Sequence, residues 1–169
     1  VMLGAEIRGS SAGEGLKKAA EAFYALIDRV KKKHPDMKVE NCGSGAMRSD
    51  NGTLRHFELQ STSDQEFYEL NPSIASGYAA CIAPEKAGIW AYPYPVSFYE
   101  SQKGLDVYAD KSRMEALADG EQTAFNMINA LCGVLYLSGR IDKADAFNKQ
   151  LIKDGTDVYK AYRSHNHSS

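Results

Sequence analysis

Apolar positions along this chain follow two rhythms. From 16 to 30, Leu16, Ala19, Ala20, Phe23, Leu26, Ile27 and Val30 recur every three or four residues. Lys17, Lys18, Glu21, Asp28, Arg29 and Lys31 fill the other face, which predicts an amphipathic helix. Ser10 or Ser11 is placed to cap it, lysines 31–33 and His34 suit its C-terminal dipole, and Pro35 stops it. Residues 37–41 follow almost at once as a buried strand, the αβ step of a parallel sheet. A second strand is expected at 57–61. Residues 65–81 read as broadly helical, with Pro72 either in a first turn or breaking the segment in two. AGIWAY at 87–92 is a third strand, closed by Pro93 and Pro95. Residues 97–119 are polar and read as a long loop with a helical turn or two. An apolar-faced helix is expected over 120–133, a fourth strand at 134–137 and a last amphipathic helix over 142–161. Residues 1–13 read as a loop and the tail SHNHSS as frayed. The layout is about four strand–helix units of the α/β class, about half of the eight in a (β/α)8 barrel.

Composition narrows the function classes. The 169 residues suffice for one domain, read here as a single partial domain over 1–169. Hydrophobic residues make up 43% and charged residues 25%, as in soluble globular proteins. A net charge of −2 gives no reason to expect a nucleic-acid or anionic-membrane partner. Three cysteines without a CxxC pair argue against a disulfide framework and a structural zinc site, and point to a reducing, cytoplasmic compartment. No apolar run approaches the roughly 20 residues that span a bilayer. The first residues, VMLGAEIRGSSAGEG, lack the basic and apolar regions of a signal peptide. With no Met at position 1, the chain reads as a piece of a longer one. No metal ion or cofactor is expected.

The chemistry gathers at two strand ends within residues 38–64. At the first come Glu40, Asn41, Cys42, Gly43, Ser44, Gly45 and Arg48; at the second come Ser61, Thr62, Ser63, Asp64 and Gln65. Small residues there let a ligand approach the backbone, so the stretch reads as a sugar-binding and catalytic face. Asp64 suits general acid–base work if buried, or the N-cap of a following helix, and spacing alone favours the cap. Glu40 reads as a structural carboxylate bonded to Arg48 or to backbone amides. Cys42 reads as a packed or ligand-lining thiol before a nucleophile, because neither His34 nor His56 sits in a convincing setting. Gly43-Ser44-Gly45 lacks the phosphate-loop patterns. Trp90 reads as core packing before a sugar-stacking platform. The sequons at Asn51 and Asn166 are short enough to arise by chance, and His165 and His167 lie in the polar tail.

Several segments together resemble glycoside hydrolase family 36, the microbial α-galactosidases. ENCGSGAMRSD at 40–50 resembles that family's E-x-C-x-S-G-G-x-R-x-D segment, and QSTSDQE at 60–66 looks like its strand end with the catalytic Ser-Asp. PEKAGIWAYP, FNMINAL and LSGRID continue the likeness in the family's order. The resemblance implies a (β/α)8 barrel, of which this chain looks like the C-terminal half, about strands 5–8. It implies a retaining hydrolase that removes terminal α-linked galactose from oligosaccharides such as melibiose and raffinose. Asp64 matches the general acid/base. Cys42, Gly43 and Gly45 match residues that contact galactose, and Arg48 matches an arginine that holds their loop.

Two departures matter. The family's K-x-D-x-N segment, which carries the nucleophile, is absent from these residues, and the family's Gly-Gly is Gly45-Ala46 here. A retaining glycosidase needs two carboxylates roughly 5–5.5 Å apart. The chain alone is therefore expected to be inactive, with the N-terminal half of the same barrel as its partner. Other readings are a non-catalytic half-barrel that binds sugar or pairs with itself as a homo-oligomer, an α-N-acetylgalactosaminidase, and a cysteine-dependent enzyme at Cys42.

Overall fold

In a computed structural model of the chain, residues 10–43, 45–93 and 118–165 are described. The loop expected over 97–119 and the end of the tail lie almost wholly outside them. Helix α1 spans Ala12–Lys33. Ser11 caps it by accepting from the Glu14 N–H, and His34 closes it one residue before Pro35. Strand β1 is Glu40–Asn41, followed by the short helix α2, Asn51–Leu54, which Asp50 caps. Strand β2 is Leu59–Ser61. A 3-10 turn at Tyr68–Leu70 leads into α3, Asn71–Ala79, with Pro72 in the first turn, so both expectations for that proline hold. Then come β3 (Ala87–Ala91), α4 (Glu121–Ala130), β4 (Val134–Leu137) and α5 (Ala146–Tyr162), which Asp145 caps.

The four strands form one parallel sheet in the order β1-β2-β3-β4. A parallel sheet in sequence order, with helices on the connections, fits part of a TIM barrel. The first two strands are shorter than the apolar runs that predict them. The Glu58 carboxylate takes the Val39 N–H at 2.9 Å, where a neighbouring strand's carbonyl would otherwise accept it. The chain stays attached, because the Val39 carbonyl accepts from the Glu58 N–H at 3.0 Å.

Partners across a parallel ladder share a face, and successive residues alternate. Asn41, Gln60, Ala87, Ile89, Ala91 and Leu135 therefore fall on one face, and Glu40, Leu59, Ser61, Gly88, Trp90 and Tyr136 on the other. The first face meets the helices. Ala87, Ile89 and Ala91 form the buried core with Ala75, Ile82, Met127, Ala130 and Ile152. No residue of the second face belongs to that cluster. Trp90 is on the second face and half-buried, so its assignment to the core is corrected. The continuous apolar run at 87–92 hides the alternation that puts Trp90 opposite Ile89.

Candidate functional site

The parallel pairing of β1 and β2 brings the two expected strand ends side by side. Asn41 pairs with Gln60 in the ladder, and the Asn41 amide donates to Gln60 Oε1 at 2.6 Å and to the Arg48 carbonyl at 2.7 Å. Both side chains are buried, so β1, β2 and the later part of the loop after β1 are locked together by polar bonds. Cys42 leaves β1 exposed to solvent.

The loop after Cys42 turns through two consecutive left-handed residues, Gly45 at φ 71° and Ala46 at φ 70°. Glycine adopts this conformation freely, whereas alanine pays about 1 kcal/mol or more. Gly45 lies against Asp64: a Cβ there would stand 3.5 Å from the Asp64 nitrogen and 3.6 Å from its Oδ2. Gly43 packs against Arg48, where a Cβ would stand 3.3 Å from Cγ. Gly43, Gly45, Arg48 and Asp64 thus gather beside Cys42 at the C-terminal ends of neighbouring strands.

Asp64 is not a helix cap. Residues 62–67 have no regular structure, and the next helical turn, at Tyr68, has no side-chain cap. Local bonds shape the segment instead. Ser63 Oγ accepts from the Gln65 N–H at 3.1 Å, Gln65 Oε1 accepts from the Phe67 N–H at 2.9 Å, and Thr62 Oγ1 donates to the Gly88 carbonyl at 2.7 Å. These bonds leave the Asp64 carboxyl exposed, so the described residues do not supply the burial that general acid work calls for.

Glu40 is exposed, and among the described residues it forms no ion pair with Arg48, which corrects that expectation. Its carboxylate stands instead beside the Tyr136 hydroxyl. Burial pushes that hydroxyl well above the usual tyrosine range, and the neighbouring Glu40 carboxylate and Cys42 thiol push it further. Tyr136 reaches this place across Gly88, where a Cβ would come within 2.5 Å of Tyr136 Cζ. Tyr136 meets Trp90 edge-on at 5.1 Å, Trp90 stacks on Tyr92 at 5.8 Å, and Trp90 Nε1 donates to Ser61 Oγ at 2.9 Å. Ser61 belongs to the small and polar cluster expected at the end of the second strand, whereas Tyr136 and Gly88 were not expected at the site. The one signal for them was a glycine inside a strand pattern, which often marks a close approach. Among the described residues no three His, Cys, Asp or Glu side chains group to hold a metal ion, and no helix is long and apolar enough to cross a membrane.

An open carboxyl, a thiol and bare glycine backbone thus stand at the C-terminal strand ends of a parallel α/β sheet, the edge where barrel enzymes place their active sites. The Melibiase family model matches residues 9–69, from α1 through β2 to the turn before α3, and over that span the chain is similar to the α-galactosidases of that family. All five residues expected at the site, Cys42, Gly43, Gly45, Arg48 and Asp64, lie inside the match. β3 and β4 lie beyond it. No curated protein matches the chain.

Proposed function

We propose that the chain is the C-terminal half of a retaining α-galactosidase barrel, contributing strands five to eight. Its substrates are oligosaccharides with terminal α-linked galactose, such as melibiose and raffinose. Asp64 is the general acid/base, Cys42, Gly43 and Gly45 face the galactose, and Arg48 holds their loop. The observation that carries this reading is the contact of Gly45 with the Asp64 carboxyl. It joins the two matched strand ends into one surface.

The nucleophile and the burial of Asp64 come from a partner, the N-terminal half of the same barrel. That half also completes the sheet beside β1 and β4, whose outer edges pair with nothing among the described strands. Three exposed free thiols, Cys42, Cys81 and Cys132, suit a reducing cytoplasm. The test is hydrolysis of a nitrophenyl α-galactoside. The chain alone is expected to be inactive, and activity should appear when a half-barrel carrying K-x-D-x-N is added. Asp64→Asn should then remove at least about a hundredfold of it. Robust turnover by the chain alone, or full activity with Asp64→Asn, would sink the reading.

A second reading, sugar binding without catalysis, is favoured by the exposure of Asp64. It predicts heat of binding with galactose in calorimetry but no activity after reconstitution.

A further inference from the structure

We infer that Asn129 binds a buried water behind the Asp64 segment and so acts as a positioning residue for it. Asn129 lies on α4 and is 7% exposed, and its Nδ2 finds no acceptor among the described residues. A buried amide N–H left unpaired costs about 1–3 kcal/mol, so such groups are normally satisfied by protein or by ordered water. Asn129 lines a cleft between α3, α4 and the ends of β2 and β3, together with Thr62, Ser63, Asn71 and Trp90. The space open to the centre of a water-sized sphere is about 10 Å³. One water needs about that much, together with two to four polar partners.

The chemistry of the lining selects the ligand. An amide N–H calls for an acceptor rather than a cation, and the space matches one water. A water oxygen accepts from Nδ2 and has two protons of its own to donate. The hydroxyls of two lining residues, Thr62 and Ser63, have capacity for them. Thr62 Oγ1 gives its proton to the Gly88 carbonyl and keeps its lone pairs, while Ser63 Oγ has accepted only the Gln65 N–H. The water therefore ties α4 to the two residues before Asp64, in a segment with no ladder of its own. Its value to catalysis rests on the galactoside reading; its binding does not.

The experiment uses the full chain and no sugar. Nuclear Overhauser spectroscopy should show a cross-peak between the Asn129 side-chain amide protons and a long-lived water. Asn129→Leu fills the cleft with carbon, and should remove that water and speed amide exchange at 63–66 about tenfold, the loss of one bridging bond. Asn129→Ser leaves room for a second water and should keep that exchange within about twofold of the parent. An Asn129 amide bonded directly to a protein acceptor with no water cross-peak would overturn the inference. So would unchanged exchange at 63–66 in a folded Asn129→Leu chain. If Asn129→Leu does not fold, the parent spectrum and Asn129→Ser still decide. An inactive reconstituted barrel would count against the galactoside reading and leave the water in place.

Discussion

The half of the chain that carries the candidate site is held together differently from the half that follows. From α3 onward an apolar cluster built on Ile82, Ile89, Met127, Ala130 and Ile152 fills the space between sheet and helices, flanked by buried, hydrogen-bonded Thr123, Asn126 and Asn148. Helix α1 and strands β1 and β2 contribute no residue to that cluster. Beside the packing of Phe23 on buried Phe57, their contacts are directed ones. The Tyr24 hydroxyl meets Thr53 Oγ1 at 2.8 Å, and the Tyr24 ring stacks on His56 at 4.5 Å. Lys31 donates to the His56 carbonyl at 3.0 Å and pairs with Glu58. A neutral hydrogen bond contributes about 0.5–1.5 kcal/mol net, whereas burying an isoleucine contributes about 1.5–3. The early half therefore gains orientation from its bonds and draws much of its stability from the later half. That division suits a site whose side chains must point correctly.

The largest expected effect tests the supporting half. Ile89 is 3% exposed at the centre of the apolar cluster. Ile89→Ala should cost about 3 kcal/mol, the transfer of the lost carbons plus the cavity they leave. Urea unfolding measures it, and a loss under about 1 kcal/mol would mean that the cluster does not carry the fold. The next effect lies at the seam between the halves. Gly88→Ala places a carbon where Tyr136 now lies, so the ring must move, at about 1–3 kcal/mol. Trp90 is the only tryptophan and touches Tyr136 edge-on, so its emission reports the displacement. Unchanged stability and unchanged emission would show that Tyr136 is not wedged over the sheet.

The same division explains what the sequence made legible. Periodicity places α1 and its Ser11 cap, and β4 appears with its expected bounds, because these depend on local pattern. The strand-end residues Cys42 and Asp64 are found because small and polar clusters punctuate apolar runs. Long-range geometry is not written in that pattern. Spacing makes Asp64 a cap, but the Ser63 and Gln65 side chains turn the backbone away from helix before it can be one. Glu40 looks paired with Arg48, eight residues on, yet its neighbour is Tyr136, three strands across the sheet. Trp90 looks like core because an uninterrupted apolar run does not say which residues face the helices.

The smallest expected effect separates the halves by acid. Burial works against the Glu58 carboxylate, but the Lys31 ammonium and the Val39 N–H outweigh it and hold its pKa below the usual value of 4.5. The folded state therefore favours the ionised form. Its contribution is fully present above about pH 4.5, the unfolded value, and is lost as pH falls through the lower folded value. Both partners are about a quarter exposed, so the contribution is at most about 1 kcal/mol. Lys31, Asp28 and His56 are the charged or titratable neighbours of this clasp. Glu58→Gln should lower the urea midpoint at pH 6 and leave it close to the parent's at pH 3, where the parent has lost the same charge. Amide exchange should place that loss in β1 and β2 and spare β3, because Ile89 and its neighbours carry no charge to lose. If the parent and Glu58→Gln differ by as much at pH 3 as at pH 6, the clasp does not depend on the carboxylate. The polar half would then owe its attachment to Tyr24 and Phe57 instead.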